Sequence, residues 1–214
     1  MTGDANVEKG RRPPCHRGRN CCASGEGGKT KKCLSSMKCS SVPRDGSDSS
    51  SGGNLALGLV AYINAEGLDT PMPGYIMAIS PGTCVASDEE WQRMLELDKV
   101  DVAIPAQYMK DAEIVMRCGD DNVPDYMLRL QNGDFTNCPR VTFLYGSDET
   151  LYACAPSFER AMQKYGVDYQ MIVGKGMFHC YPVFPIVPEA KEGWRQMVDL
   201  MKGEGKTVER IAAR

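Results

Sequence analysis

The first fifty residues contain no phenylalanine, tyrosine or tryptophan, although the chain has five Phe, nine Tyr and two Trp in all. A segment without aromatic side chains and with few other apolar ones buries too little surface to offset the entropy of ordering it. The chain has no run of eighteen apolar residues, so no membrane span is expected. No apolar stretch follows the amino-terminal charges, so no secretory leader is expected and a cytoplasmic location is. Ten cysteines are present, but no pair has C-x-x-C spacing, and no metal site is expected. Histidine occurs twice, as His16 and His179.

The charge is divided unevenly. Residues 1 to 50 carry ten Lys or Arg against five Asp or Glu, a balance of +5. The rest carries fifteen against twenty-three, a balance of −8. Residues 1 to 45 are therefore expected to be a disordered or non-homologous basic segment. It could serve as a binding module, as basic tails often do. However, its charges are scattered and lack aromatic stacking partners, so no nucleic-acid partner is expected. Five cysteines lie in this segment, Cys15, Cys21, Cys22, Cys33 and Cys39. The other five, Cys84, Cys118, Cys138, Cys154 and Cys180, sit in or beside apolar elements and are expected to be reduced thiols, mostly filling the core.

One motif in the basic segment imitates a phosphate-binding loop. Ala23-Ser24-Gly25-Glu26-Gly27-Gly28-Lys29-Thr30 lacks the first glycine of the pattern. Such a loop must also leave a strand and enter a helix, so that backbone N–H groups converge on phosphate. Neither neighbour has that character, and nucleotide binding is not expected.

From Gly52 onward, helix and strand patterns alternate. Leu55 to Ile63 is almost continuously apolar, which predicts a buried helix ending near Gly67. Tyr75 to Ser80 reads as a buried strand. Ser87-Asp88-Glu89-Glu90 is a capping box that opens a helix through about Leu97. Pro105 introduces another, from Ala106 to about Arg117. Val141 to Tyr145 and Val167 to Val173 read as strands, with a helix over Thr150 to Tyr165 between them. Glu189 to Met201 closes the chain as an amphipathic helix with Trp194, Met197, Val198 and Met201 on one face. Strands separated by helices imply right-handed crossovers and a parallel sheet, with the site at the carboxyl ends of the strands.

Three residues with complementary chemistry fall at such ends. Ser50 precedes the first helix, Glu149 follows the strand ending at Tyr145, and His179 follows the strand ending at Val173. A hydroxyl, a carboxylate and an imidazole in the order Ser, acid, His match the chain order of one class of nucleophilic triad. Each also has a plain structural reading. Ser50 lies in a serine-rich run, and Glu149 or its neighbour Asp148 could be a helix N-terminal acid.

Asp48 to Met201 resembles the carboxyl-terminal part of an α/β-hydrolase, specifically the hormone-sensitive-lipase-like esterases. The nucleophile motif of these esterases, Gly-Asp-Ser-Ala/Ser-Gly-Gly-Asn-Leu-Ala, is similar to Asp48-Ser49-Ser50-Ser51-Gly52-Gly53-Asn54-Leu55-Ala56. Their acid loop is similar to Gly146-Ser147-Asp148-Glu149-Thr150-Leu151, and their histidine loop to Gly176-Met177-Phe178-His179-Cys180-Tyr181-Pro182. The resemblance implies an α/β fold with a parallel sheet flanked by helices. It also implies Ser50 as nucleophile, Glu149 as acid, His179 as base and the Ser51 N–H as an oxyanion donor. Ser49 is the alternative nucleophile and Asp148 the alternative acid. A small ester with a short acyl or aryl group is the implied partner, with no cofactor.

Two departures accompany the match. Asp48 and Ser49 stand where the motif has Gly and Asp, and no His-Gly-Gly-Gly segment precedes the serine. The resemblance therefore covers 46–214 as a carboxyl-terminal portion with its amino-terminal strands missing. A catalytically inactive fragment is the alternative outcome. Residues 84–138 fall where these enzymes insert part of a cap. Met94, Leu97, Tyr108, Met109, Met116 and Met127 could line an acyl pocket there or be ordinary core.

Overall fold

The computed structural model describes residues 45–203, all within one compact unit. Apart from Asp45, the basic segment 1–45 lies outside the described residues, as do its five cysteines, His16 and the phosphate-loop look-alike at 23–30.

Four parallel strands form a single sheet in the order β1 (Asp45–Ser49), β2 (Tyr75–Ile79), β3 (Arg140–Gly146) and β4 (Tyr169–Gly174). Spatial order follows chain order, so each connection crosses over one face of the sheet. The registers pair Ser49 with Ile79, Ile79 with Leu144, and Gly146 with Gly174. This alignment brings the carboxyl ends of all four strands to one edge.

Among the described residues there are six α-helices: α1 (Ser51–Ala65), α2 (Asp88–Leu97), α3 (Gln107–Arg117), the single turn α4 (Asp125–Leu128) and α5 (Ala155–Tyr165), which lie in the connections between strands, and α6 (Pro188–Met201), which follows β4. The β2–β3 connection holds α2, α3 and α4. The capping box forms with a small change of partner. Glu90 N donates to Ser87 Oγ at 3.2 Å, while Glu90 Oε1 accepts from Ala86 N at 3.1 Å. The expected single helix over 150–165 is two pieces, a 3-10 turn over Thr150–Cys154 and then α5. Pro156, in the first turn of α5, has no N–H to continue an α-helical ladder from the preceding turn, and it suits a new start.

Alternation along the strands builds a core on each face of the sheet. Ile76, Ala78, Val141, Phe143 and Tyr145 pack with Leu57 and Val60 of α1 and Phe158, Ala161 and Met162 of α5. Met77, Ile79, Leu144 and Ile172 pack with Cys180, Tyr181 and Met197 of α6.

Two helices differ from expectation. Helix α1 buries Leu57, Val60, Ala61 and Ile63 but leaves Leu55 74 % and Leu59 37 % exposed, so only one side is covered. Helix α6 buries Ala190, Gly193 and Met197, while Trp194 and Met201 face solvent. The cause is Gly193. A Cβ there would lie 3.2 Å from the Tyr181 ring and 3.3 Å from Pro182, so the glycine, rather than Trp194, is the contact face. Among the cysteines, Cys84, Cys154 and Cys180 are buried, but Cys118 is exposed and closes α3 in a left-handed conformation at φ 46°.

Among the described residues, no helix is long and apolar enough to cross a membrane.

Candidate active site

The turn between β1 and α1 carries Ser50 at φ 52° and ψ −118°, outside the basins that L-residues favour. Its amide donates to Ile79 O at 2.7 Å, extending the β1–β2 ladder by one residue, and its carbonyl accepts from Asn54 N at 3.2 Å to start the helix. Ser49 is the last residue of β1, in regular register with Ile79. The strained turn therefore lies at Ser50 and not at Ser49. Ser51 is the first residue of α1, so its N–H is among the first four of the helix, which have no intrahelical acceptor.

Asn54 locks this turn to the end of β2. Its Nδ2 donates to Gly82 O, and its Oδ1 accepts from Gly82 N at 3.0 Å.

Glu149 is fully buried beyond the end of β3. Its Oε1 accepts from Gly146 N at 2.8 Å and from Ser80 Oγ at 2.9 Å. Its Oε2 lies 2.8 Å from His179 Nδ1. A buried carboxylate at that distance fixes the imidazole proton on Nδ1 and leaves Nε2 to act as an acceptor in the neutral ring. Asp148, the alternative acid, is instead occupied with Ser147 Oγ at 2.6 Å and is partly exposed. The residue after Glu149 is also tied down: Thr150 N donates to Asp101 Oδ2 at 2.6 Å, across from the segment between α2 and α3.

His179 is 8 % exposed. Its loop is stitched to the acid loop by Asp148 N to Met177 O at 3.0 Å and Gly176 N to Ser147 Oγ at 2.8 Å. The approach is close enough to require glycine, since a Cβ on Gly146 would lie 2.1 Å from Met177 O. The other ring nitrogen, Nε2, lies 3.3 Å from Cys180 Sγ. That sulfur is 4.0 Å from Ile79 O, the oxygen that accepts from Ser50 N. Ser50 and the His179–Cys180 pair thus meet around one carbonyl, although the direct partner of Nε2 here is the thiol. Burial works against the imidazolium, but the contacts with Cys180 and Glu149 outweigh it and push the His179 pKa up to about 10.

Sequence reasoning missed Ser80, Asn54 as a tether, Asp101 and Cys180. Ser80 and Cys180 each had one visible signal: Ser80 closes the expected strand Tyr75 to Ser80, and Cys180 stands beside His179. Of the candidate acyl-pocket residues, Met94 and Met109 are core, while Tyr108 and Met116 are exposed. Among the described residues, no three His, Cys, Asp or Glu side chains are grouped to hold a metal ion.

Residues 48–183 match the family described as alpha/beta hydrolase fold. A comparison with curated proteins finds no match. Among solved structures, an esterase from the bacterial hormone-sensitive lipase family superposes with a TM-score of 0.63 at 20 % identity, covering 75 % of this chain and 51 % of that one. A putative esterase from Staphylococcus aureus gives 0.59 at 19 % identity, with 75 % and 52 % covered. A hormone-sensitive lipase from a metagenome library gives 0.61 at 17 % identity, with 75 % and 52 % covered. The chain spans about half the length of these structures. At such identities the superpositions speak for the fold alone. The match over residues 48–183 agrees with them, and with the resemblance drawn from the sequence: the chain belongs to the alpha/beta hydrolase family.

Proposed function

We propose that this chain carries the catalytic core of a serine esterase acting on short acyl or aryl esters, with Ser50 as nucleophile, His179 as general base and Glu149 as the orienting acid. The observation that carries the reading is the buried 2.8 Å contact between Glu149 Oε2 and His179 Nδ1 at the same sheet edge as the strained Ser50 turn. The esterase names of the superposed structures point the same way.

In this mechanism the imidazole leaves Cys180 and accepts a hydrogen bond from Ser50 Oγ. The oxygen attacks the ester carbonyl carbon while Nε2 takes its proton. Glu149 holds the ring and stabilises the cation. The Ser51 N–H donates to the developing oxyanion. Nε2 then gives the proton to the departing alcohol, leaving an acyl-serine. Water, deprotonated by the same nitrogen, attacks the acyl-serine, and Nε2 returns that proton to Ser50 Oγ as the carboxylic acid leaves and the free enzyme is restored. Residues 84–138, which join β2 to β3, cover the acyl group in this reading.

A silent form of the same fold is the second reading. It is favoured by the 3.3 Å contact that occupies Nε2 with a thiol.

A fluorophosphonate probe separates the two. Labelling of the wild type and of Ser49→Ala, with none in Ser50→Ala, is expected. A wild type that takes no label refutes the esterase reading, and label retained by Ser50→Ala refutes the choice of nucleophile.

A further inference from the structure

Ser80 follows the last residue of β2 in a left-handed conformation at φ 48°, with its side chain fully buried. The backbone is held there by Ser80 N donating to Leu144 O at 2.7 Å. This conformation is uncommon for a non-glycine residue and is kept only where surrounding contacts impose it. Its effect is to turn Oγ between two loops. Oγ donates to Glu149 Oε1 at 2.9 Å and accepts from Cys180 N at 2.9 Å. One hydroxyl therefore touches the acid and the backbone beside the imidazole, bridging loops that follow β3 and β4 from a third strand between them and β1.

We propose that Ser80 is a positioning residue for the Glu149–His179 pair, its hydroxyl fixing which carboxylate oxygen faces the imidazole and where the histidine backbone stands. The proposal deepens the esterase reading and rests on it for its functional meaning, while its geometry is independent of turnover. Oε1 already takes two donors, Ser80 Oγ and Gly146 N. With Oε1 so occupied, Oε2 is left to His179. Without the hydroxyl, the carboxylate keeps one donor and can rotate about its last torsion. At the same time the Cys180 amide is freed and the histidine loop loses an anchor. Both changes remove support from the imidazolium, and the desolvation of its buried site then weighs against it. The titratable groups facing His179 are Glu149 and Cys180. Tyr145, Cys154 and Tyr181 lie near the carboxylate, each pushed up by burial and so neutral at neutral pH.

The test uses the full chain with His16→Gln, which leaves His179 as its one histidine. NMR titration of the imidazole is followed in Ser80→Ala and Ser80→Gly. The glycine variant suits a positive φ, so it removes the hydroxyl without adding backbone strain. Both variants are expected to lower the His179 midpoint by about one pH unit or more, a tenfold change, and to broaden the Nδ1–H signal. A midpoint unchanged or raised in a folded variant overturns the proposal. If neither variant folds, the hydroxyl is a structural bond of the core and the positioning role is rejected. Because the readout is a titration, it stands apart from Ser50 labelling. Failure to label with the midpoint shifted defeats the esterase reading alone, and labelling with the midpoint unmoved defeats the role of Ser80 alone.

Discussion

Gly146 is the point at which the acid and histidine loops come closest, and replacing it with alanine measures how much that approach matters. The new Cβ would sit 2.1 Å from Met177 O, 2.5 Å from Met177 C and 2.8 Å from Phe178 O. These are backbone atoms, so no side-chain rotation relieves the clash. Restoring ordinary contact requires a shift of roughly 1 Å in a loop two residues from His179, a displacement of the size that costs about a hundredfold in rate when it disturbs a reacting geometry. The stability cost has two parts. Overpacking against a fixed neighbour costs about 1–3 kcal/mol. The shift also breaks or stretches the Asp148 N to Met177 O bond of 3.0 Å, worth about 1 kcal/mol. A total of about 2–4 kcal/mol is expected.

Gly176→Ala in the same pair of loops is the control. Its φ is 69° and nothing lies within 4 Å of the added carbon, so it pays only the left-handed backbone cost of about 1–2 kcal/mol. Urea denaturation at pH 7 gives both values, and the His179 imidazole resonance reports the loop. Gly146→Ala should shift that resonance and Gly176→Ala should leave it in place. A Gly146→Ala protein within about 0.5 kcal/mol of wild type, the range of an inert surface change, with its imidazole signal unmoved, would show that the loops tolerate separation and that their close contact does not set the geometry.

Replacing Glu149 by Gln removes the charge that faces His179 and leaves only the Cys180 contact to oppose burial, so the His179 midpoint, followed by NMR, should fall from about 10. The raised value also dictates a direction for stability. The pair contributes fully below pH 6.5, and its contribution is lost as pH rises through about 10. Denaturation midpoints measured across that window should therefore decline in the wild type and stay flatter in Glu149→Gln. If His179 is the base, ester hydrolysis should keep rising with pH up to about 10, and Cys180→Ala, which removes one of the contacts that raise the pKa, should move the rise to lower pH in a stopped assay on a p-nitrophenyl short-chain ester. Asn54→Ala strips Gly82 of both reciprocal bonds and should cost about 1–3 kcal/mol in urea denaturation, with a matching loss of Ser50 labelling.

The order of elements was legible because burial imposes period on sequence. Tyr75 to Ile79 and Arg140 to Gly146 are buried on both sides, and short apolar runs bounded by glycine or proline were enough to find them. The capping box at Ser87 was legible for a local reason, since its partners are three residues apart. The helix faces were harder to find. Leu55 and Leu59 have the composition of core but lie on the uncovered side of α1, and no pattern within the helix states what packs against it. The apolar pattern of α6 groups Trp194 with Met197, Val198 and Met201 on one face, whereas Gly193 decides the face because Tyr181 needs the space.

The site divides in the same way. Glu149 and His179 were found from strand ends and loop composition, but the bonds between them cross thirty residues, and the hydroxyl that bridges their loops comes from Ser80, sixty-nine residues before the acid. Such contacts leave no spacing to detect. What the chain does disclose locally is strain. Ser50, Ser80 and Cys180 are three of the five described non-glycine residues with positive φ, and all three converge on the carboxyl ends of β1, β2 and β4. Serine and cysteine are poor choices for left-handed backbone where asparagine or glycine would be cheaper. Their presence there means that the side chain is worth the backbone cost, and at Ser80 and Cys180 that value is visible as polar contacts to Glu149 and His179. For Ser50 the link to the same cluster runs through one carbonyl, since Ile79 O accepts from Ser50 N and lies 4.0 Å from Cys180 Sγ, and in the proposed mechanism the partner of its hydroxyl is the imidazole.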